Sequence, residues 1–366
     1  MRPTKRRRAL VVTAVAAMLF VMGSNTGPSG AQEHPHPTTT AGPGPTTPTT
    51  EHPHEPPTTE APDTPDTTAP PHPDSRETKI KYGPFGVQAA PTNPDGTHGH
   101  AHTGNQFSFF IQKPCGNCYI TGMTADLLNA DGSRAGWSTD SQLHHMVLFN
   151  QGWGSTDATC GSSFLGFLGE RFFASGDERT PIVAPSPYGY YTGAWDSWHM
   201  IWELANHQSV AQSGLQIEMT YTWVPATTAG MKHIEPVWLD LDQCGFSTIS
   251  LPAGRSERSY SWTVNRPGKI IGLGGHVHDG GINIPVRNDS TGELICDSVA
   301  RYGGDPLYEG HHGEQHLSGM SVCTGSGADP VATLSQGQRV TITGRYDMPA
   351  PVTDQMGIVI MYIDQS

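Results

Sequence analysis

Residues 215–224, Leu-Gln-Ile-Glu-Met-Thr-Tyr-Thr-Trp-Val, indicate the fold most directly. Apolar and polar side chains alternate from Leu215 to Trp223, which is the period of a β-strand with one buried face and one wet face. Six further strand-like segments recur between Gly, Pro and Asp turns: Phe107–Gln112, Tyr119–Leu128, His144–Asn150, Ile282–Arg287, Val340–Tyr346 and Gly357–Ile363. Helical periodicity is weak throughout, so we predict an all-β fold.

The composition agrees with many short strands joined by long loops. The 366 residues include 43 Gly and 31 Pro, and only 35% are hydrophobic, whereas average domains contain about 45–50%. These values argue against an all-helical protein and against a membrane bundle. The net charge of −13 is that of a poor nucleic-acid binder, so we expect no nucleic-acid partner.

Residues 1–31 have the pattern of an export signal. A basic start is followed by an apolar run from Ala9 to Met22 and then by small residues that end at Ala31. The run is too short for a comfortable transmembrane helix, and no later segment reaches about 18 consecutive apolar residues. We therefore predict a signal peptide, no membrane span, and a secreted protein that is extracellular or associated with the cell wall.

Residues 32–78 are rich in Pro, Thr, His and acidic residues and almost lack aliphatic ones. Such a segment buries too little apolar surface to offset the entropy of ordering, so we predict a disordered tether. Two interpretations of its histidines remain open. One is a glycosylated stalk, with glycans as partners, and the other is a metal-gathering arm assisted by the alternating His98, His100 and His102; the two are compatible.

The remaining 288 residues are enough for two domains. We predict two consecutive antiparallel β-sandwich domains of jelly-roll type, over residues 79–226 and 227–366, divided near Pro225–Gly230. Six cysteines in an exported chain indicate up to three disulfides with open connectivity. They are Cys115, Cys118, Cys160, Cys244, Cys296 and Cys323. The first two form a CxxC motif, to which we assign a structural role because the sequence has no second such pair.

Two histidine groups stand out in the predicted folded part. His144 and His145 begin an apolar strand, and His276 and His278 form a His-x-His motif between glycines. On a strand, side chains at i and i+2 project from the same face about 6.5–7 Å apart, so His276 and His278 can bind one ion. The adjacent His144 and His145 would point to opposite faces, so their joint ligation requires a bulge or a strand end.

Met356, which opens the final predicted strand, suggests which metal is involved. A thioether combined with imidazoles favours copper, because the methionine sulfur is a soft ligand that accepts Cu(I). Taken alone, Met356 also fits ordinary core filling. Each histidine group alone is likewise compatible with a structural role.

Taken in order, these motifs resemble those of a known enzyme family. His144-His145-Met146, then His276-x-His278, then Asp354-x-Met356 before an Ile-Met-Tyr strand resemble the copper type II, ascorbate-dependent monooxygenases. That family includes peptidylglycine α-hydroxylating monooxygenase and dopamine β-monooxygenase. The resemblance covers most of residues 105–366 in order and spacing. It implies two β-sandwich domains with one copper each, and hydroxylation of a substrate C–H bond by O2 with ascorbate or a similar reductant.

The resemblance also implies ligand roles. His144 and His145 would be two of three ligands of the electron-entry copper, and His276, His278 and Met356 would form the catalytic, oxygen-binding copper. The third ligand of the first copper falls on Ala205, which cannot ligate. His207 lies two residues later on the same strand face and is our candidate. His199 and the loss of this ligand are the alternatives, so we expect two copper ions if the site is complete and one otherwise.

The substrate remains open. The positions at which the peptide-hydroxylating relatives hold a substrate carboxylate are Gly274 and Ile360 here, so we do not expect a peptide to be amidated, and the small-molecule or peptide substrate is unknown. A second hypothesis is an exported copper-binding or copper-sequestering protein that keeps only the methionine-site copper. A third is a structural adhesin with incidental histidines. The cluster His311, His312 and His316 is either an accessory copper site or a solvated loop.

Overall fold

The computed structural model describes residues 72–92, 99–161 and 164–366. The predicted signal peptide, most of the predicted tether and His98 lie outside these residues. The first strand begins at Arg76, three residues before Lys79, where we placed the start of the first domain. The described residues contain no helix with the length and apolar character needed to cross a membrane.

Strands make up most of the described chain. The first ten are β1 (Arg76–Val87), β2 (Ala101–His102), β3 (Gln106–Ile111), β4 (Cys118–Leu128), β5 (Ser141–Gln151), β6 (Glu170–Gly176), β7 (Ile182–Val183), β8 (Tyr188–Thr192), β9 (Ser197–Asn206) and β10 (Gln212–Pro225). The next seven are β11 (Lys232–His233), β12 (Glu235–Asp240), β13 (Ile249–Leu251), β14 (Gly254–Thr263), β15 (Gly268–Val277), β16 (Gly281–Asn288) and β17 (Glu293–Tyr302). The last six are β18 (Leu317–Met320), β19 (Val322–Thr324), β20 (Ala332–Leu334), β21 (Arg339–Met348), β22 (Val352–Gln355) and β23 (Gly357–Asp364).

The all-β prediction is confirmed. Helical structure in the described residues is limited to the four-residue α1 (Phe164–Phe167) and two short 3-10 turns, Trp137–Thr139 and Pro306–Tyr308. Each of the seven strands predicted from the sequence coincides with an observed strand, namely β3, β4, β5, β10, β16, β21 and β23.

The strands form four large sheets and one small one. The first sheet has the order β1-β10-β4-β8-β11, with β7 beside β4, and the second has the order β2-β9-β5-β6, with β3 beside β9. The third has the order β12-β23-β15-β19, with β20 beside β15, and the fourth has the order β14-β21-β16-β17-β18. Strands β13 and β22 form the small sheet. The β8–β11 pair is parallel, and the other pairs of the described strands are antiparallel.

The prediction of two separate sandwich domains is corrected by the structure. The sheets of the described residues do not separate into two sandwich domains. Strand β23 shows the physical reason, because every residue from Gly357 to Asp364 is buried. Val359 and Met361 face one hydrophobic cluster, whereas Ile358 and Ile360 face another that also contains Tyr188 from the first sheet.

Covalent and backbone links also cross the predicted division at Pro225–Gly230. The parallel β8–β11 pair joins Tyr188 to Lys232, and one disulfide joins Cys160 to Cys244. The residue bounds 79–226 and 227–366 stay a prediction. The other disulfides are Cys115–Cys118 and Cys296–Cys323, so all six cysteines are paired, as predicted. The structural role of the CxxC motif stays a prediction.

Candidate metal centre

A bulge in β5 positions the adjacent histidines. Leu143 pairs with Leu204 of β9 and His145 pairs with Glu203, so His144 is the extra residue between two registered pairs. Both imidazoles are buried, and their Nδ1 atoms lie 3.1 Å apart. Joint ligation by two adjacent strand residues requires a bulge or a strand end, and β5 contains the bulge.

The second ring nitrogen of His145 is held by a neighbouring side chain. Its Nε2 lies 2.8 Å from Asn105 Oδ1. An amide oxygen only accepts hydrogen bonds, so Nε2 donates its proton and the lone pair of Nδ1 is left for a metal. Asn105 therefore fixes both the tautomer and the orientation of this imidazole.

The two histidines at the end of β15 are oriented in a similar way. His276 Nδ1 lies 2.9 Å from Glu178 Oε1, and His278 Nδ1 donates to the backbone oxygen of Asp354 at 2.8 Å. The Nε2 atoms of both histidines are buried and have no hydrogen-bond partner. A buried nitrogen with a free lone pair, opposite a nitrogen held by an acceptor, is the pattern of a metal-ligating histidine.

The structure brings His278 together with the β5 pair. Ligating atoms of His144, His145 and His278 all lie within 4.8 Å of one another. The ring centroids of His144 and His278 are 4.2 Å apart, and those of His276 and His278 are 5.2 Å apart. The group thus combines residues that the resemblance assigned to two different copper ions. Its donors come from β5 in the second sheet and from the end of β15 in the third.

Met356 lies beside this group. Its side chain is 2% exposed, and it lines a narrow cavity together with Asn105, His145 and His276. The rest of the wall is mostly apolar and includes Trp238. The free space is about 30 Å³, which is enough for a water-sized molecule.

The electrostatic environment favours the neutral form of three imidazoles, those of His144, His145 and His278. Burial, reinforced by neighbouring histidines, holds the pKa values of His144 and His145 well below their usual value. Burial, with a further contribution from His276, lowers the pKa of His278 to about 4. Neutral imidazole is the form that binds metals, so these side chains can bind without first losing a proton near pH 7.

His207 and His199 lie elsewhere, and neither is among the closely spaced potential ligands of the described residues. His207 follows β9, and its Nδ1 is 2.5 Å from that of His100, while its ring packs on Trp137. Burial lowers the pKa of His207 to about 2. His199 accepts a hydrogen bond from the backbone of Phe110 and packs against its ring.

The His311–His316 cluster divides between two environments. His311 and His312 are exposed, and His311 Nε2 lies 2.7 Å from Asp140 Oδ1. His316 is less exposed, stacks on Trp137 with ring centroids 3.4 Å apart, and contacts Asp279 through Nδ1 at 2.5 Å. The single interpretation of a solvated loop therefore fits His311 and His312 but not His316.

Sequence reasoning missed several residues of the centre. It named His102 only as a helper of the possible metal-gathering arm, whereas ligating atoms of His102, His144 and Asp354 lie within 4.8 Å of one another. The His-x-His spacing of His100 and His102 was the available signal. Glu178 and Asn105, by contrast, carried no local signal, because their role depends on partners far along the chain.

The donor set fits copper. Several neutral imidazoles and a buried thioether surround a small apolar cavity, and nitrogen with thioether ligands selects copper over metals that prefer oxygen ligands. The free Nε2 atoms of His276 and His278 provide the structural basis for this fit, because buried polar atoms otherwise have partners.

The chain is similar to one family model and to several known proteins. A family model described as "Stress up-regulated Nod 19" matches residues 200–366. A solved structure described as "Crystal Structure of the STIV MCP" aligns with 79% of this chain and 96% of its own chain, at 12% identity. The TM-score of this alignment is 0.28, which is too low to support a common fold. The chain is 28% identical over 266 residues to "Probable copper-dependent oxygenase clz3" of Cochliobolus lunatus, covering 66% of this chain and 78% of the relative. It is 29% identical over 307 residues, 79% of this chain and 73% of the relative, to "Probable copper-dependent oxygenase M1" of Phoma sp. (strain ATCC 20986 / MF5453).

Proposed function

We propose that this protein is a copper-dependent oxygenase whose copper centre is formed by His144, His145, His276, His278 and Met356. The observation that carries the proposal is the group of ligating atoms from His144, His145 and His278, all within 4.8 Å of one another. The names of the two fungal relatives, each a probable copper-dependent oxygenase, support the same class of reaction.

Copper bound at these residues would supply one-electron redox chemistry with O2 and a reductant. The chain's own contribution is orientation. Asn105 holds Nε2–H of His145, Glu178 holds Nδ1–H of His276, and the backbone oxygen of Asp354 holds Nδ1–H of His278. Each contact fixes the tautomer and aims the other nitrogen, a role whose loss typically lowers metal affinity 10- to 100-fold.

The cavity beside Met356 makes the second contribution. Its largely apolar wall, with Trp238 and Ile358, leaves free space of about 30 Å³. A space of this size has room for a diatomic molecule or for about one water molecule. The chain therefore leaves room for little more than one small molecule on the thioether side of the centre.

The finer parts of the proposal rest on the ordered motifs. We propose that the reaction is hydroxylation of a C–H bond with ascorbate or a similar reductant, as in the copper type II monooxygenases. Gly274 and Ile360 occupy the positions at which the peptide-hydroxylating relatives hold a substrate carboxylate, and neither side chain can hold one. Peptide amidation is therefore not the reaction that we propose. We also propose that the protein is secreted after removal of residues 1–31, and the three disulfides are consistent with an extracellular location.

The test uses the full chain loaded with copper and washed with a competing chelator. The copper is reduced with ascorbate without oxygen, and the protein is then mixed with oxygen-18 gas and a panel of small molecules and peptides. The proposal predicts rapid reoxidation of Cu(I) and oxygen-18 in one product. Both results should be absent in the zinc-loaded chain and in His278→Ala. Reoxidation no faster than in His278→Ala, without labelled product, would refute the proposal.

A second candidate, an exported copper-binding protein without oxygenase chemistry, is favoured by the small size of the cavity. About 30 Å³ of free space holds O2 or water but not a drug-sized substrate, which usually occupies 300–1,000 Å³. The same experiment separates the candidates, because a storage protein binds copper tightly in the wild type and yields no labelled product.

A further inference from the structure

We propose that His102 is a metal ligand of this centre and that it enters from β2 beside His144. The inference rests on the proposed copper function and extends it to a strand to which the sequence motifs gave no ligand. The sequence left the third ligand beside His144 and His145 open among His207, His199 and none. The geometry points to His102 instead.

Strand pairing places His102 at the required position. Strand β2 runs antiparallel to β9, with His102 directly opposite Ala205. Directly opposed residues project from the same face of a sheet, with Cβ atoms about 4.5–5.5 Å apart. Ala205 is fully buried, and its small methyl group leaves room for the imidazole of its cross-strand neighbour.

Glu203 confirms which face His102 occupies. It lies two residues before Ala205 on β9 and therefore projects from the same face. Glu203 Oε1 is 3.0 Å from His102 Nδ1 and 3.8 Å from His144 Nδ1. Glu203 Oε2 is 3.9 Å from His145 Nε2. A single carboxylate thus lies among three imidazoles from β2 and β5.

The same contact orients His102 for ligation. A carboxylate accepts a hydrogen bond from Nδ1–H, so the lone pair of His102 is on Nε2. A histidine whose Nδ1–H is held by a carboxylate is a recurrent metal ligand, because the contact fixes the ring and raises its basicity. The contact between His102 and Glu203 is the same in kind as that between His276 and Glu178, in which Nδ1 of the histidine lies 2.9 Å from Oε1 of the carboxylate.

His102 is also close in space to His144 and Asp354. The rings of His102 and His144 are 4.8 Å apart and nearly perpendicular, at 89°. Ligating atoms of His102, His144 and the Asp354 carboxylate all lie within 4.8 Å of one another. Asp354 also anchors His278 through its backbone oxygen, so the position of His102 adjoins the group already described. Its side chain is 31% exposed, which leaves this edge of the centre open to solvent.

The test compares His102→Ala with the double variant His102→Ala/Ala205→His in the full chain. The double variant returns an imidazole to the same face from the neighbouring strand. His312→Ala is the matched control, because His312 is exposed and outside both ligand groups. All proteins carry Asn at four tether positions so that these cannot bind copper: His34, His36, His52 and His54.

Two quantities are measured: copper affinity by chelator competition, and the number of imidazoles on copper by X-ray absorption. We expect His102→Ala to lower the affinity about tenfold or more and to remove one imidazole from the copper shell. The double variant should recover both, and His312→Ala should change neither. His102→Gln, whose amide can still donate to Glu203, should show the same loss and serves where the alanine change impairs folding.

The outcomes are distinguishable. Unchanged affinity and imidazole number in His102→Ala and His102→Gln would overturn the role of His102 and leave the copper function in place. Failure of the wild-type chain to bind copper at all would overturn the proposed function itself. Loss of one imidazole in His102→Ala with recovery in the double variant supports both.

Discussion

Replacing Glu178 by Ala is expected to weaken copper binding without abolishing the fold. The Glu178 carboxylate is 2% exposed, and its Oε1 accepts from His276 Nδ1 at 2.9 Å and from the backbone N–H of Gly176 at 3.1 Å. Burial acts to raise the pKa of Glu178, but the interactions with His276 and with backbone N–H groups outweigh it and lower the pKa overall. The carboxylate is therefore ionised and supports the imidazole as a charged acceptor.

The size of the effect follows from the lost contact. Removing the acceptor that orients a metal-ligating histidine lowers metal affinity about 10- to 100-fold, which corresponds to about 1.4–2.7 kcal/mol. Glu178→Ala also leaves the buried Nδ1–H of His276 without an acceptor, at a cost of about 1–3 kcal/mol. Glu178→Gln keeps an acceptor oxygen and loses only the charge, so its effect should be smaller.

The assay is competition between the protein and a coloured Cu(I) chelator under anaerobic conditions, together with thermal unfolding of the metal-free chain. Glu257→Ala is the control, because Glu257 is exposed and pairs only at the surface with Arg345. The expected order of copper affinity is wild type and control, then Glu178→Gln, then Glu178→Ala. A folded Glu178→Ala chain with wild-type copper affinity would refute the reasoning.

Three further predictions concern packing, pH and the thioether. A Cβ at Gly176 would lie 2.6 Å from Cε1 of His276, so Gly176→Ala should displace this imidazole and lower copper affinity. Gly272→Ala is the control, because the nearest contact of its Cβ is at 3.7 Å. Equal copper affinities of the two variants, measured by chelator competition, would contradict this prediction. Burial raises the pKa of Glu170 from 4.5 to about 8. Between these two pH values the folded chain keeps a proton on Glu170 that the unfolded chain releases. The stability of the folded chain therefore falls as the pH rises from about 4.5 to about 8. Denaturant unfolding should therefore show Glu170→Gln to be more stable than wild type by a few kcal/mol near pH 8.5 but not near pH 4. An equal difference in stability at both pH values would argue against a buried protonated carboxyl. Met356→Leu keeps the volume but removes the sulfur, so it should weaken Cu(I) more than Cu(II) binding, and an equal loss for both ions would exclude thioether ligation.

The strands could be predicted from the sequence because their signal is local. Alternation from Leu215 to Trp223 gives one face of β10. Joint ligation by the adjacent His144 and His145 requires a bulge or a strand end, and β5 has a bulge at His144. The continuous apolar run of β23 also contained information that we did not use. A strand with every residue buried packs on both faces, which is why the sheets continue into one another instead of separating into two sandwiches.

The composition of the metal group could not be predicted in the same way. His102 and Ala205 are far apart in the sequence, and only the register of β2 against β9 makes them neighbours. The alternation of side chains along a strand placed His207 on the same face as Ala205. However, β9 ends at Asn206, and His207 contacts His100 instead. Positions on one strand can be read from their spacing, whereas neighbours across strands depend on long-range pairing.

The most direct test of the central claim is the copper content of the full chain and of two single variants, His144→Ala and His278→Ala, after washing with a competing chelator. His144 lies in β5 of the second sheet and His278 directly follows β15 of the third, yet their ligating atoms lie within 4.8 Å of each other. We expect the wild type to retain copper and either substitution alone to release it, whereas His199→Ala, outside both ligand groups, should retain it. A wild-type chain without copper, or a His278→Ala chain with undiminished copper, would contradict the account.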